Sequence, residues 1–468
     1  MKKVVRIVSL VTVLTLIAGM FTGCGNKVND KDEQGRTMIS VGQWPTKEGT
    51  DLTAVLERKA RFEEANPDVV VEGDPWIFDR KTFYAKAAGG QLPTVYQAGY
   101  TEIPEIFNSD YSADLTDVLK KRGYEGMFNE AVLKTVSDED GNIKAFPYSS
   151  FALGLAFNVD LMEKAGLMEA DGTPKQPKDW NEVVEFAVKI KEATGKPGFI
   201  FPSANNVGGW IFSALAWSFG VDFMEKDANG KWQARFNTPE CVEALQWIKD
   251  LKWKYDVLPP NNIIDGTEYY KVYATGGAGM LITEGGTSKR VSQYNMDPQH
   301  FGMMAMPAGP KRHVTLLGGA AWFLKPEATK DQVDAGIRWL ETKYDFKLTE
   351  EYKTNVIAKY DKYLGENQPV GVKGMSPWSE NSEALAWENK YIDEHTNINM
   401  NHVRLYNEFC ANCPAEIQAE EPVCCQELYG ILDDCLQEVL SNKDADCAEI
   451  LKKANADFQS NYLDNLTY

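Results

Sequence analysis

Residues 38–71 read MISVGQWPTKEGTDLTAVLERKARFEEANPDVVV and contain one complete strand–helix–strand unit. Met38 to Val41 predicts a short strand. Asp51 can cap the helix that follows, because its carboxylate accepts hydrogen bonds from the first free backbone N–H groups. Apolar residues then recur at helical spacing until Asn66-Pro67-Asp68 ends the helix, and Val69 to Val71 predicts a second, fully buried strand. A unit of this kind predicts an α/β protein.

The same rhythm continues downstream. Thr82 to Ala88 predicts a second helix, Gly89-Gly90 ends it, and Pro93 to Tyr96 predicts a third strand. Repetition of strand and helix predicts a mainly parallel sheet with helices on both faces. In such sheets ligands bind beyond the carboxyl ends of the strands, and Trp44 and Tyr100 both follow predicted strands.

The N-terminus predicts export from the cytoplasm. Basic residues at positions 2, 3 and 6 precede an apolar run from Ile7 to Phe21, which is shorter than the roughly 20 residues that span a bilayer. Residues 1–23 are therefore expected to be a signal peptide. An uncleaved signal or a short anchor helix is the alternative.

The proposed signal ends in Phe21-Thr22-Gly23-Cys24, which resembles the lipobox of bacterial lipoproteins. In that motif the cysteine receives diacylglycerol and becomes the new N-terminus, so Cys24 is the expected lipid attachment site. Two or three acyl chains hold a protein stably at a membrane, whereas one chain does not. Residues 24–37 are polar and lack apolar periodicity, and we expect them to form a solvated tether.

The chain is acidic. Its 468 residues carry 49 Lys and Arg against 68 Asp and Glu, a formal net charge of −19, which becomes −22 once the three basic residues of the signal are removed. Such a protein repels phosphate backbones, which argues against nucleic-acid binding. A chain of this length supports two lobes with large cores. No second apolar stretch of the sequence is long enough to cross a membrane.

Seven cysteines follow the proposed lipidation site, and their odd number leaves at least one unpaired within the chain. One or two disulfides in a C-terminal loop are the first expectation outside the cytoplasm, and free thiols in a reducing habitat are the second. A zinc site with His395 or His402 is disfavoured, because adjacent cysteines rarely occupy two corners of one tetrahedron. The seven are Cys241, Cys410, Cys413, Cys424, Cys425, Cys435 and Cys447.

Six segments occur in an order and at a spacing that are specific together. They are RFEEANPDVVVE at 61–72, AGGQLPTVYQAG at 88–99, KAFPYSSFALGLAFNVDLMEKAGL at 144–167, ATGGAGMLITEGG at 274–286, FGMMAMPAGP at 301–310 and LLGGAAWFLKP at 316–326. Through these segments essentially the whole mature chain resembles the extracellular solute-binding proteins of ABC importers, in the branch that includes maltose-binding protein. The cysteine-rich region 405–468 is not usual for that family.

The resemblance implies an α/β, two-lobed periplasmic-binding-protein-like fold, with mainly parallel sheets flanked by helices and with lobes joined by crossing hinge segments. Phe146 to Asn158 matches the first crossing and Phe301 to Pro307 the second, and a third is expected near Leu340 to Leu348. Lobe one would then hold residues 38–150 plus 303–342, and lobe two residues 154–300 plus 346–468.

Aromatic residues that stand beside glycines at predicted strand ends are candidates for a sugar-binding cleft. The face of a sugar ring packs on an aromatic ring, and its hydroxyl rim needs planar donors and acceptors such as carboxylates. Burial in the core is the competing interpretation for each aromatic residue. The candidate ligand-binding residues are Trp44, Tyr100, Glu102, Trp210, Glu284, Gly285, Gly286 and Trp322.

The stretch Glu284 to Lys289, EGGTSK, is not a Walker phosphate loop, because its lysine follows the hydroxyl residues instead of preceding them. We expect a strand that turns into a helix whose first N–H groups face the ligand, with Glu284 accepting from ligand hydroxyls. A simple tight turn is the alternative.

The sequence gives little support for catalysis, because it contains no G-x-S-x-G, H-E-x-x-H or G-x-G-x-x-G pattern. The resemblance therefore implies a lipid-anchored carbohydrate receptor on the extracytoplasmic face of the cell membrane. It would be a monomer without cofactor or metal that delivers its ligand to ABC permease subunits. The alternatives are a surface glycosidase or esterase, and the same receptor fold with a peptide, polyamine or signalling ligand.

Overall fold

The structure is a computed structural model that describes residues 30–466. The expected signal peptide and the expected lipid attachment at Cys24 lie outside the described residues. Within residues 30–466, none of the helices has the length and apolar character needed to span a bilayer.

This part of the chain contains ten strands and seventeen α-helices. The strands are β1 (Thr37–Val41), β2 (Val69–Gly73), β3 (Val95–Gly99), β4 (Phe146–Asn158), β5 (Met224–Lys226), β6 (Trp232–Ala234), β7 (Met280–Glu284), β8 (Phe301–Met304), β9 (Val314–Leu324) and β10 (Glu416–Gln418). The helices are α1 (Thr50–Ala65), α2 (Arg80–Ala88), α3 (Ile103–Asn108), α4 (Thr116–Lys121), α5 (Glu130–Thr135), α6 (Val159–Lys164), α7 (Trp180–Thr194), α8 (Val207–Phe219), α9 (Pro239–Trp253), α10 (Gly266–Ala274), α11 (Thr287–Ser292), α12 (Lys330–Glu341), α13 (Glu350–Gly365), α14 (Glu383–Glu394), α15 (Arg404–Asn412), α16 (Cys425–Ser441) and α17 (Cys447–Asn461).

The first strand–helix–strand unit forms as the sequence predicts. β1 lies between β2 and β3 and is parallel to both, and α1 connects β1 to β2. The expected cap at Asp51 is wrong, because α1 begins one residue earlier, at Thr50, with Gly49 at its N-cap and without a side-chain cap. Asp51 lies instead in the first turn of the helix. Its negative charge is stabilised there by the positive end of the helix dipole.

The main sheet has the order β2-β1-β3-β9-β4-β7, with β10 beside β9 and β8 beside β4. β9 runs antiparallel to β3 and β4, and β4 runs antiparallel to β7 and β8. The α/β fold with flanking helices is confirmed, but the sheet is mixed, so the expectation of a mainly parallel sheet is wrong. A chain that leaves one half of the molecule on β4 has to return on β9 in the opposite direction.

β4 and β9 connect the two halves of the molecule. β4 begins beside the half of β9 that pairs with β3 and ends beside β7 and β8, while β9 begins beside β10. We call the half built on β1, β2 and β3 lobe one, and the half built on β7, β8 and β10 lobe two. The segment Phe301 to Pro307 does not cross as expected, because it contains β8 and stays in lobe two. The return crossing is β9.

Phe346 and Trp378 pack against lobe one, although we expected lobe two to begin again at residue 346. The ring of Phe346 meets Tyr124 edge-on at 4.8 Å, and Trp378 stacks on Phe128 at 5.3 Å. Between them, the backbone of Gly371 and Lys373 is hydrogen-bonded to Asn407 on α15 in lobe two. Apolar periodicity predicts which face of a helix is buried, but it does not say which lobe covers that face.

The cysteine-rich C-terminal region lies in lobe two, where α16 packs on α8 and α9, and α17 packs on α9 and α16. All seven described cysteines are unpaired, so the first expectation of one or two disulfides does not hold. Six of them are buried and fill the core as small apolar groups. Burial also raises the pKa of their thiols, in Cys435 to about 12. Within residues 30–466, no cluster of three His, Cys, Asp or Glu side chains could hold a metal ion.

Candidate ligand-binding site

A cavity of about 730 Å³ lies in lobe two beside the crossing strand β4. Its walls combine aromatic rings with polar and charged side chains. Phe151 comes from β4, Trp210 from α8, Tyr270 from α10, Glu284 from the end of β7 and Arg290 from α11. The remaining lining residues are Asn205, Val207, Asp265, Gly266, Thr267, Gln293 and Tyr294.

A second cavity of about 250 Å³ adjoins the first and extends to the point where the lobes meet. Asn205, Val207 and Trp210 line both cavities, so the indole of Trp210 lies between them. Thr101 is contributed by lobe one. The lining residues found in the second cavity alone are Thr101, Asn206, Glu420, Gln426 and Tyr429.

The start of α8 places Trp210 in this position. Asn205 and Asn206 adopt left-handed backbone conformations, with φ of 56° and 66°, and so turn the chain into the helix. A Cβ atom at Gly209 would lie 2.1 Å from the carbonyl oxygen of Tyr429. Only glycine therefore lets α8 approach the backbone of α16 this closely, and the approach brings Trp210 to the cavity wall.

The carboxylate of Asp433 on α16 also fixes the start of α8. Its two oxygens accept hydrogen bonds from the backbone N–H groups of Asn206 at 2.6 Å and Gly209 at 2.7 Å. Burial raises the pKa of Asp433 to about 6, although these backbone hydrogen bonds favour the ionised form. The first turn of α8 is thus attached to α16 by hydrogen bonds as well as by packing.

Glu284 and Arg290 form the charged part of the larger cavity. The carboxylate of Glu284 is buried and lies 3.3 Å from the guanidinium of Arg290. It also accepts a hydrogen bond from the backbone N–H of Gly286. Arg290 lies over the ring of Tyr270, with 4.8 Å from its Cζ atom to the ring centroid, and donates to the Tyr270 hydroxyl at 2.5 Å. The positive charge of Arg290 therefore already has a carboxylate and an aromatic partner.

Glu420 is the acidic group of the smaller cavity. Its carboxylate accepts hydrogen bonds from the hydroxyl of Thr101 and, at 3.2 Å, from the hydroxyl of Tyr429. Burial raises the pKa of Glu420 to about 7, because desolvation disfavours the ionised form. The hydrogen bond from Thr101 joins lobe one to lobe two.

Of the eight predicted binding residues, the structure brings Trp210 and Glu284 into the cavity walls. Gly285 and Gly286 form the turn that follows Glu284. The N–H of Gly285 donates to the Tyr406 hydroxyl at 3.1 Å, and that of Gly286 donates to Glu284. These glycines shape the turn, and their N–H groups have protein partners. The EGGTSK stretch is a strand followed by a helix, α11, as we expected.

The other four predicted residues lie in lobe one and line neither cavity. Trp44 stacks on Trp339 with 6.0 Å between ring centroids, and Glu102 pairs with Arg80 at 2.9 Å. Tyr100 and Trp322 are buried, and the Tyr100 hydroxyl and the Trp322 indole N–H have no hydrogen-bond partner among the described residues. For Trp44, packing against the core is what the structure shows.

Sequence reasoning did not select several residues of the site. Tyr270, Asp265 and Arg290 come from two helices that lie next to each other only in the fold, so no local pattern marks them. Glu420 stands in the acidic stretch QAEEP, which looks like an ordinary solvated loop. Asn205 and Asn206 differ, because they stand close to Trp210 in the sequence and were recognisable there as polar neighbours of a candidate aromatic residue.

The chain is similar to known bacterial solute-binding proteins. A family model described as bacterial extracellular solute-binding protein matches residues 44–343. The sn-glycerol-3-phosphate-binding periplasmic protein UgpB of Escherichia coli O1:K1 is 27% identical over 324 residues, which cover 65% of this chain and 70% of UgpB. The protein YcjN of Escherichia coli K12 is 26% identical over 269 residues, which cover 54% of this chain and 59% of YcjN.

Solved structures show the same fold over nearly the whole chain. Maltose-bound MalE3 of T. maritima superposes with a TM-score of 0.63 at 20% identity, covering 90% of this chain and 99% of MalE3. UgpB of Mycobacterium tuberculosis in complex with glycerophosphocholine superposes with a TM-score of 0.66 at 17% identity, covering 91% of this chain and 98% of that one.

Proposed function

Because the chain belongs to the family of bacterial extracellular solute-binding proteins, we propose that it captures a sugar or oligosaccharide in the cavities around Trp210 and delivers it to an ABC permease. The composition of the cavity walls carries this proposal. The ring of Trp210 offers an apolar face, and Asn205, Asp265 and Thr267 stand beside it as hydroxyl partners. Aromatic faces with a rim of planar polar groups suit the apolar face and hydroxyl edge of a sugar ring.

The charge of the site favours a sugar without acidic groups. The two cavities contain three carboxylates, Asp265, Glu284 and Glu420, and a single guanidinium, that of Arg290. Arg290 is paired with Glu284, so a phosphate would meet no unpaired cation here. UgpB is named for a phosphate ester and MalE3 was solved with maltose. Of these two ligand classes, the uncharged sugar fits the walls of this site better.

Binding would favour closure of the lobes. Thr101 from lobe one and Trp210 from lobe two line the same cavity, so a ligand held there contacts both halves only when they are together. Such contacts shift a pre-existing equilibrium toward the closed state. The permease would then recognise the closed form.

Calorimetric titration of a panel of mono- and oligosaccharides tests the site. The wild-type protein should bind at least one of them, and Trp210→Ala should weaken that binding at least tenfold, because the substitution removes the ring between the two cavities. Trp253→Ala is the matched control, since Trp253 lines neither cavity and its indole N–H donates to the Val439 carbonyl at 2.8 Å. Equal affinity of the wild-type protein and Trp210→Ala would refute the site.

The receptor role also predicts that bound oligosaccharide stays intact. After hours of incubation the wild-type protein should release no new reducing ends, whereas a glycosidase would release them. We further propose a monomer that is held at the outer face of the membrane by a lipid on Cys24. Cys24→Ala should then move the protein from the membrane fraction to the soluble fraction, and unchanged membrane association would contradict the anchor.

A further inference from the structure

The smaller cavity has an acidic group between two aromatic residues. Glu420 lines its wall together with Trp210 and Tyr429. The hydrogen-bond partners of the Glu420 carboxylate are neutral groups: the hydroxyls of Thr101 and Tyr429 and the indole N–H of Trp210. Within residues 30–466, Glu420 forms no ion pair with a lysine, arginine or histidine.

The nearby cation, Arg80, is held by other carboxylates. Its guanidinium contacts Glu102 at 2.9 Å, Glu105 at 2.8 Å and Glu427 at 3.2 Å. Glu102 also adds a negative charge near Glu420, which makes ionisation of Glu420 less favourable. The carboxyl group of Glu420 is therefore desolvated and surrounded by dipoles and a like charge, and none of the described residues supplies a counterion.

We propose that the smaller cavity is an ammonium-binding subsite, in which Glu420 pairs with a positively charged nitrogen of the ligand. This inference rests on the proposed function, because it assigns a ligand class to the same cleft. A carboxylate attracts an ammonium group, and the attraction grows when water is excluded. The overall negative charge of the chain also attracts a cationic ligand to the cleft.

The size of the cavity agrees with a group of this kind. A water molecule has about 30 Å³ of liquid volume, so a space of about 250 Å³ accommodates a nitrogen together with several attached carbons. The rest of the ligand would occupy the larger cavity on the other side of Trp210. An amino sugar and a quaternary ammonium compound share this chemistry, and their different shapes allow the two sources to be separated by experiment.

Matched pairs of ligands test the proposal by calorimetry at pH 7, at which the amines of an amino sugar are still largely protonated. The first pair is the glucosamine disaccharide and its glucose twin, which carries a hydroxyl in place of each amine. The second pair is choline and its uncharged carbon analogue, 3,3-dimethylbutanol. In at least one pair the ammonium ligand should bind the wild-type protein at least tenfold more tightly than its neutral twin. The pair that shows this preference tells whether the ligand is an amino sugar or a quaternary ammonium compound.

The variant Glu420→Gln keeps the size of the side chain and removes its charge, so it should abolish the preference for the ammonium ligand. Glu421→Gln is the matched control, because Glu421 is also buried but accepts a hydrogen bond from the Trp217 indole and lines neither cavity. It should retain the preference. Thermal unfolding of both variants checks that they are folded.

Two results would overturn the subsite: neither ammonium ligand binds more tightly than its twin, or Glu420→Gln keeps the full preference. The proposed function would survive either result if a neutral glycan bound in a manner sensitive to Trp210→Ala. The experiments can therefore refute the ammonium subsite without refuting the proposed sugar site.

Discussion

Trp210 and Trp44 have the same chemistry and similar glycine-rich surroundings in the sequence, yet they have different environments in the structure. Trp210 separates two cavities, whereas Trp44 stacks on Trp339 in lobe one. Neighbouring glycines show that a backbone can be approached closely, but they do not show whether a ligand or another ring will approach. The sequence could therefore predict the residue types of the site, and only the fold could select among them.

The buried carboxyl of Glu421 should make stability depend on pH. Burial raises the pKa of Glu421 from an ordinary value of 4.5 to about 7. The folded state then binds more protons than the unfolded state between these values, so this group's contribution to stability falls as pH rises from about 4.5 to about 7.

The variant Glu421→Gln keeps an acceptor for the Trp217 indole and removes the charge. Its stability relative to wild type should therefore be higher at pH 8 than at pH 5, by on the order of 2–3 kcal/mol. Urea unfolding of both proteins at the two pH values measures this difference. A difference that does not change with pH would show that Glu421 keeps an ordinary pKa.

At the scale of elements, the contact between α8 and α16 depends on a position without a side chain. Gly209→Ala would place a Cβ atom 2.1 Å from the Tyr429 carbonyl oxygen. Alanine favours a helix over glycine by about 1 kcal/mol, but a clash with backbone cannot be relieved by a rotamer change. We expect a net loss of about 1–3 kcal/mol in unfolding free energy.

Gly365→Ala is the control for this substitution. Gly365 ends α13, and no atom lies within 4 Å of the Cβ that the change would add. Its unfolding free energy should stay within about 0.5 kcal/mol of wild type. Denaturant unfolding compares the two variants. If Gly209→Ala were as stable as Gly365→Ala, the two helices would not be packed as closely as the structure shows.

Elements with a strong local signal were predictable, and their partners were not. The strand–helix–strand unit from β1 to β2 follows its local pattern, and β4 coincides with the first crossing segment that the resemblance implied. β8 was expected to cross between the lobes, and it does not, because an apolar strand pattern is the same whether the strand crosses or stays. The lobe that covers Phe346 and Trp378 likewise depends on contacts with Tyr124 and Phe128, far away in the sequence.

At the scale of the whole molecule, the family and the two-lobed architecture inferred from the sequence are confirmed. Six short segments in a fixed order carried that inference, because order and spacing reflect the topology even where identity is low. The relative direction of the strands in the sheet could not be predicted from the sequence, because it depends on how the chain returns to lobe one.

Arg80 connects the lobes through its contact with Glu427 on α16. Removing the guanidinium in Arg80→Ala leaves Glu102, Glu105 and Glu427 to repel one another across the lobe boundary. The unliganded variant should therefore be more open, with a larger radius of gyration by small-angle X-ray scattering, and a saturating ligand should reduce the difference. Arg312→Ala is the control, because Arg312 pairs with Asp222 and Glu416 inside lobe two. Equal dimensions of the two variants would contradict this role of Arg80.

The continuity of β4 and β9 limits how the molecule can open. Both strands pass from one lobe to the other as a hydrogen-bonded ribbon, and their pairing shifts register between Pro147 and Ser149. A loose joint would permit many relative orientations, whereas a ribbon resists bending everywhere except where its ladder is interrupted. The lobes should consequently swing about a single axis near that irregularity. Without a ligand, the two lobes would then have one preferred opening angle and would return to it after each fluctuation.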